Sequence, residues 1–193
     1  MTTSFAALLG YLSGSVPVGY WLIHLTKGVD IRTIGTGSTG AGNIWRTFGR
    51  RYGLPVMLLN MTKAFGPALG ATVVVGHVGG VVAGMAAMLG NRRLILLRSA
   101  RGGASATLGA LLGIAPAVCG IGLAIWMTLF ALTRYATVAS IGTALALPAL
   151  AVALGGYGWS VIAFNSTIAA LIVLGHRRGM SRLLNGSEKR LEF

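Results

Sequence analysis

The stretch Asp30–Arg46, DIRTIGTGSTGAGNIWR, places a glycine-rich backbone and an arginine directly behind an apolar run, about Ser4–Leu25, that is long enough to cross a bilayer. Successive glycines let backbone N–H groups converge on an anion, and the guanidinium of Arg46 adds a permanently charged, bidentate contact. The stretch therefore reads as an anion-binding loop held at a membrane surface, with a phosphate as its expected ligand.

Composition agrees with that setting. Of 193 residues, 54% are hydrophobic and only 10% charged, and the mean hydropathy is +0.76, which leaves too little polar surface for an ordinary soluble domain. The Ser4–Leu25 run lacks the short apolar core and small-residue cleavage site of a signal peptide, so it is expected to be a retained span. The one cysteine, Cys119, sits in an apolar stretch and excludes an intrachain disulfide.

A net charge of +13 raises the question of a nucleic-acid partner, and the positions of the cations answer it. They fall in clusters at Lys27–Arg51, Arg92–Arg101, Arg134 and Arg177–Arg190, with Lys63 alone inside an apolar segment. The turns at Gly76–Gly80, Gly113–Gly120 and Gly155–Gly158 carry none. This is the signature of topology rather than of a polyanion partner: all clusters on the cytoplasmic face satisfy the positive-inside rule.

One crossing precedes the first cluster, and each later interval must cross twice to return to the same face. The expected fold is an all-α integral membrane protein with about seven transmembrane helices in one polytopic domain over 1–193, N-terminus outside and C-terminus cytoplasmic. The spans fall at about Ser4–Leu25, Leu54–Val75, Val78–Leu96, Ala106–Ala117, Gly120–Thr133, Ala136–Leu154 and Trp159–Gly175. The fourth and fifth are shorter than the roughly 20 residues of a full crossing. One long helix through Ala106–Thr133 is the competing reading, and it would reverse everything downstream. Small-residue pairs four apart, Gly10/Gly14, Gly66/Gly70, Gly80/Gly84 and Gly109/Gly113, are expected to bring helices close together.

The carboxylates exclude many chemistries. Only Asp30, Glu188 and Glu192 exist, so paired acids for general acid–base work, acidic metal cages and buried proton relays are ruled out. His24, His77 and His176 are widely spaced and form no zinc pattern with the lone cysteine. Gly35, Gly37 and Gly40 match GxGxxG, but no strand precedes them and no acid follows about 20 residues on, so the dinucleotide reading fails. No Gly-Lys-Ser/Thr closes a Walker loop either. A second basic region, Leu97–Thr107 (LRSARGGASAT), repeats the anion recipe: Arg98 and Arg101 flank Gly102–Gly103, and Ser105 and Thr107 open the next helix. Contact with lipid headgroups is the plainer role for Arg92, Arg93 and Arg98.

Read in order, YLSGSVPVGY (11–20), KGVDIRTIGTGSTGAGNIWRTFGRRYG (27–53), NMTKAFGPALGA (60–71), SARGGASAT (99–107), RYATVASI (134–141) and GHRRGMSRLLNGSE (175–188) resemble the bacterial acyl-phosphate:glycerol-3-phosphate acyltransferase family of the PlsY type, over nearly the whole chain. The resemblance implies seven membrane helices in the bacterial inner (cell) membrane with active-site loops facing the cytoplasm. It implies transfer of a fatty acyl group from acyl phosphate to the 1-hydroxyl of glycerol 3-phosphate, giving lysophosphatidic acid for phospholipid synthesis. Carried over residue by residue, it makes Arg46, Ser140 and His176 catalytic. It makes Thr36, Gly37, Ser38, Asn43, Arg101, Gly102, Gly103, Ser105, Arg134 and Arg177 substrate-binding. Its partners are acyl phosphate, glycerol 3-phosphate and membrane lipid, with no nucleic acid, metal or organic cofactor.

The chemistry suits the inventory. An acyl phosphate is an activated mixed anhydride, so the protein has only to hold two phosphates and aim one hydroxyl. The chain also departs from the family pattern. Ser38 replaces an asparagine and Gly42 a threonine in the first motif; Asn91 stands where the family has histidine, and Ala104 where it has a second lysine. Thr137 stands for a serine, Asn60 for an acid, and Arg178 and Gly179 for Glu-Asn. Two expectations follow: an enzyme in which Arg46, Arg101, Arg134 and Arg177 compensate, or a diverged noncatalytic member that binds lipid, phosphate or a partner enzyme.

Overall fold

The computed structural model describes residues 2–92 and 105–187, and every regular element among them is helical. The helices are α1 (Thr3–Gly14), α2 (Val18–Lys27), α3 (Ala41–Phe48), α4 (Arg50–Val75), α5 (His77–Arg92), α6 (Ser105–Ile114), α7 (Pro116–Thr133), α8 (Ala136–Ala153), α9 (Trp159–Gly175) and α10 (Arg177–Leu184). They form two compact units, Met1–Ile114 and Ala115–Phe193. Among the described residues, four segments are long and apolar enough to cross a membrane: Thr3–Lys27, Arg50–Val75, Pro116–Thr133 and Ala136–Ala153. Large apolar side chains face outward on them, including Leu8, Leu12, Val73, Leu123, Leu132 and Leu145, as lipid as solvent requires.

Helices overlap each expected span, residues 93–96 of the third lying outside the described residues, with three differences. The first span is not one helix but α1 and α2, interrupted at Ser15–Pro17. The fourth shrinks to ten residues, about 15 Å, and the fifth grows to eighteen. The single helix through Ala106–Thr133 does not form. Ala115 leaves helical geometry (φ −144°, ψ 74°) because Pro116 disfavours the α conformation in the residue before it and then starts α7.

In the first unit α1 and α4 pack against α5, and α6 packs against α4 and α5. A Cβ at Gly10 or Gly14 would strike the carbonyl of Ala83 or Ala87 on α5, so these glycines set the α1–α5 distance. Gly80 packs against Thr72 and Ala68, and Gly109 and Gly113 press on α4. Gly66 and Gly70 do otherwise: nothing lies within 4 Å of the Cβ position of either, so this pair makes no helix contact among the described residues. In the second unit α7 pairs with α8 and α8 with α9, around Leu147, Ala151, Phe164 and Ile168.

Candidate functional site

The glycine-rich loop is built around one amide. Asn43, at the start of α3 and only 3% exposed, accepts from the Thr36 N–H at 2.9 Å and donates to the carbonyls of Ile34 (3.0 Å) and Ser38 (2.9 Å). Gly40 N–H donates to Ser38 Oγ at 3.1 Å. The backbone turns through left-handed conformations at Gly35 (φ 62°) and Gly37 (φ 69°), and a Cβ on Gly35 would collide with the Asn43 side chain. The loop is anchored at both ends by fully buried isoleucines, Ile31 and Ile44, which join Ile23 and Val56 in one apolar cluster with α2 and α4. Gly19 of α2 lies against the Thr39 carbonyl so closely that no side chain fits there.

Exposed in the loop and on α3 are Gly35, Thr36, Gly42, Trp45, Arg46 and Thr47. No side chain caps the N-terminus of α3, which begins where the loop ends. The two arginines nearest the loop differ. Arg32 is committed to Asp30, with Nη2–Oδ2 at 2.6 Å and Nε within 3.0 Å of both carboxylate oxygens, and it lies 5.1 Å from the Tyr20 ring centre. These hydrogen bonds hold the Asp30 carboxyl down at about 2 and raise the Arg32 guanidinium. Arg46 makes no ion pair among the described residues and stays exposed at the end of a short helix rooted in the same cluster. Of these two arginines, Arg32 is thus paired within the loop and Arg46 is exposed in the last turn of α3.

Of the second basic region, Arg101, Gly102, Gly103 and Ala104 lie outside the described residues, as do Arg93 and Arg98. Ser105 opens α6, is buried, and its Oγ meets no hydrogen-bond partner among the described residues. Asn91 is buried in the last turn of α5.

In the second unit Arg134 ends α7 in the left-handed region (φ 61°, ψ 11°), the one non-glycine residue with positive φ among those described. This is the left-handed conformation of a helix C-cap, with the Arg134 N–H donating to the Phe130 carbonyl at 2.8 Å, and a side chain there costs about 1 kcal/mol. Ser140 lies between one and two turns into α8, and its Oγ accepts from Trp126 Nε1 at 3.2 Å. His176 caps α9, with Nδ1 2.9 Å from the Ile172 carbonyl. A carbonyl can only accept, so Nδ1 is the donor in this bond. Arg177 is exposed at the start of α10. Gly179 brings this corner against α8: a Cβ there would meet Thr137, whose Cγ2 lies 2.9 Å from the position. Two departures from the family pattern, Thr137 and Gly179, are therefore in contact.

The structure thus gathers Thr36, Gly37, Ser38 and Asn43 into one loop in the first unit. In the second it sets the His176–Arg177 corner beside the opening turn of α8, which leads to Ser140. Sequence reading misses Trp126 and Ser13. Trp126 sits in an apolar run with no motif around it and Ser13 within the YLSGSVPVGY stretch without an assigned role, and only contacts across helices single them out.

The family model described as glycerol-3-phosphate acyltransferase matches residues 4–186. A glycerol-3-phosphate acyltransferase of Desulforudis audaxviator is 39% identical, over 96% of this chain and 93% of its own length. One from Aquifex aeolicus is 35% identical over 98% and 100%. The crystal structure of PlsY, an integral membrane glycerol 3-phosphate acyltransferase, in its glycerol 3-phosphate form superposes with a TM-score of 0.85 at 32% identity, covering 98% of this chain and 96% of that one. Its lysophosphatidic acid form gives 0.84. Helical architecture, loop and full-length similarity agree: this chain belongs to the glycerol-3-phosphate acyltransferase family.

Proposed function

We propose that this protein transfers a fatty acyl group from acyl phosphate to the 1-hydroxyl of glycerol 3-phosphate, as one membrane domain of a bacterial cell membrane with its basic loops on the cytoplasmic side. The observation that carries the reading is the Asn43-braced loop, which leaves Thr36 exposed and runs into the uncapped start of α3, with Arg46 exposed in the last turn of that helix. The distribution of cations among the loops supports the orientation.

In this reading the 1-hydroxyl oxygen attacks the acyl carbonyl, a C–O bond forms, and the bond to the phosphate oxygen breaks with the electron pair leaving on phosphate. His176 Nε2 takes the hydroxyl proton and passes it to the departing phosphate. Ser140 donates to an oxygen that gains charge in the transition state, and the family resemblance gives Arg46, Arg101, Gly102, Gly103, Arg134 and Arg177 roles toward the phosphates. Thr36, Gly37 and Ser38 serve the substrate phosphate through a loop that Asn43 shapes, and Ser105 serves it from the start of α6. No nucleophilic side chain is needed, because the donor is already activated.

The test follows inorganic phosphate release from palmitoyl phosphate by the purified protein, with and without glycerol 3-phosphate. Acceptor-dependent release with lysophosphatidic acid formed is the expected result. Release no greater than from Arg46→Ala would overturn the reading.

A further inference from the structure

Four hydroxyls on the helices of the second unit share a habit, while Thr143 Oγ1 meets no partner among the described residues. Thr128, Thr133, Ser166 and Thr167 each donate to the carbonyl four residues back, at 2.7–2.9 Å. Their protons are already committed. Ser140 departs from it: among the described residues its hydroxyl donates to no carbonyl, and its oxygen accepts the indole N–H of Trp126 at 3.2 Å. An indole nitrogen can only donate, so this bond occupies a lone pair of Ser140 and leaves its proton for another acceptor.

Trp126 is itself held in place. Its ring stacks on Phe130, one turn on, with centroids 5.0 Å apart and planes 13° from parallel, and α7 and α8 pack side by side along this stretch. The indole thereby holds the Ser140 oxygen toward α7 without consuming its proton.

We infer that Trp126 is a positioning residue for acyl transfer, acting through Ser140 by fixing its hydroxyl as a hydrogen-bond donor to the reacting substrate. The inference rests on the acyltransferase reading above. Trp126 touches no reacting atom in it; its effect passes entirely through one hydrogen bond.

The test is a double-mutant cycle on acceptor-dependent phosphate release, with Trp126→Phe, Ser140→Ala and both together. Phenylalanine keeps the stack on Phe130 and removes the N–H. Replacement of Trp126 by benzothienylalanine keeps the fused ring as well, and covers the case in which phenylalanine disturbs the fold. Either change is expected to lower kcat roughly three- to tenfold with KM nearly unchanged, and to have no effect on kcat in the Ser140→Ala background. An equal loss in both backgrounds, or wild-type kcat in the benzothienylalanine protein, would overturn the inference. Wild-type turnover by Ser140→Ala would overturn it too while leaving the acyltransferase reading standing. No acceptor-dependent turnover by the unaltered protein would remove that reading and the inference with it.

Discussion

Ser13 of α1 donates its hydroxyl to the backbone carbonyl of Lys63 on α4 at 2.6 Å, and that carbonyl is the one Pro67 leaves without a helical donor. In an apolar surrounding an unpaired carbonyl is costly, so the neighbouring helix supplies the missing proton. The side chain of Lys63 reaches back the other way, its Nζ 2.8 Å from the carbonyl of Val16 in the break between α1 and α2. Residue 63 thus clasps α4 to the point where the first span is interrupted, one turn before Gly19 meets the anion loop.

Ser13→Ala should destabilise the protein by about 1–3 kcal/mol, the cost of a buried acceptor left alone. Pro67→Ala in the same protein should recover most of that loss, because residue 67 then offers an N–H to the Lys63 carbonyl. Thermal unfolding of the single and double variants in one detergent checks it; an additive double variant would contradict the account.

Arg46→Ala and Asn43→Ala should both abolish turnover, for different reasons. Arg46 is exposed, so its loss should move stability by no more than about 0.5 kcal/mol. Asn43 is buried and braces the loop through three hydrogen bonds, so its loss should cost about 2–3 kcal/mol. Phosphate-release assays run beside thermal midpoints separate the two, and equal midpoints would refute the bracing role.

Arg134→Gly should separate stability from activity. Glycine adopts φ 61° without strain, so the fold should gain up to about 1 kcal/mol while acyl transfer falls by tenfold or more. A variant that is both more stable and fully active would remove Arg134 from the site.

Asp30 caps the turn Ile31–Thr33 and pairs with Arg32, and its folded carboxyl titrates at about 2, below the ordinary carboxylate range. A depressed folded value means that the charged form favours the folded state. Its contribution is complete above roughly pH 4, the range of an unfolded aspartate, and disappears as pH falls through about 2. The thermal midpoints of the protein and of Asp30→Asn should therefore differ most near neutral pH and converge on acidification. Because the pair is exposed, salt should shrink the difference.

Helical membrane character was legible from local pattern alone, since apolar runs and the exclusion of cations from alternate turns do not depend on which helices touch. Gly10/Gly14 and Gly66/Gly70 mark where pattern stops. Both read as packing pairs, yet the first pair faces α5 at backbone contact and the second faces open space. Spacing puts two glycines on one face and says nothing of what the face meets. The break at Ala115 was written in the Ala-Pro step, but α6 ends at Ile114 whereas the expected fourth span runs to Ala117.

The loop shows the same division. Glycine content and the adjacent arginine at Arg46 were enough to propose an anion site, because positive φ and fixed charge are properties of single residues. That Asn43 spends its amide on Thr36, Ile34 and Ser38, that Arg32 is neutralised by Asp30 while Arg46 is not, and that Trp126 claims a lone pair of Ser140 depend on groups brought to 2.6–3.2 Å of one another. Sequence determined the solvent in which this chain folds, its helices and the chemistry available to it. Tertiary structure alone decided which donors and charges remain free to act, because a hydrogen bond or ion pair exists only between groups that packing has brought into contact.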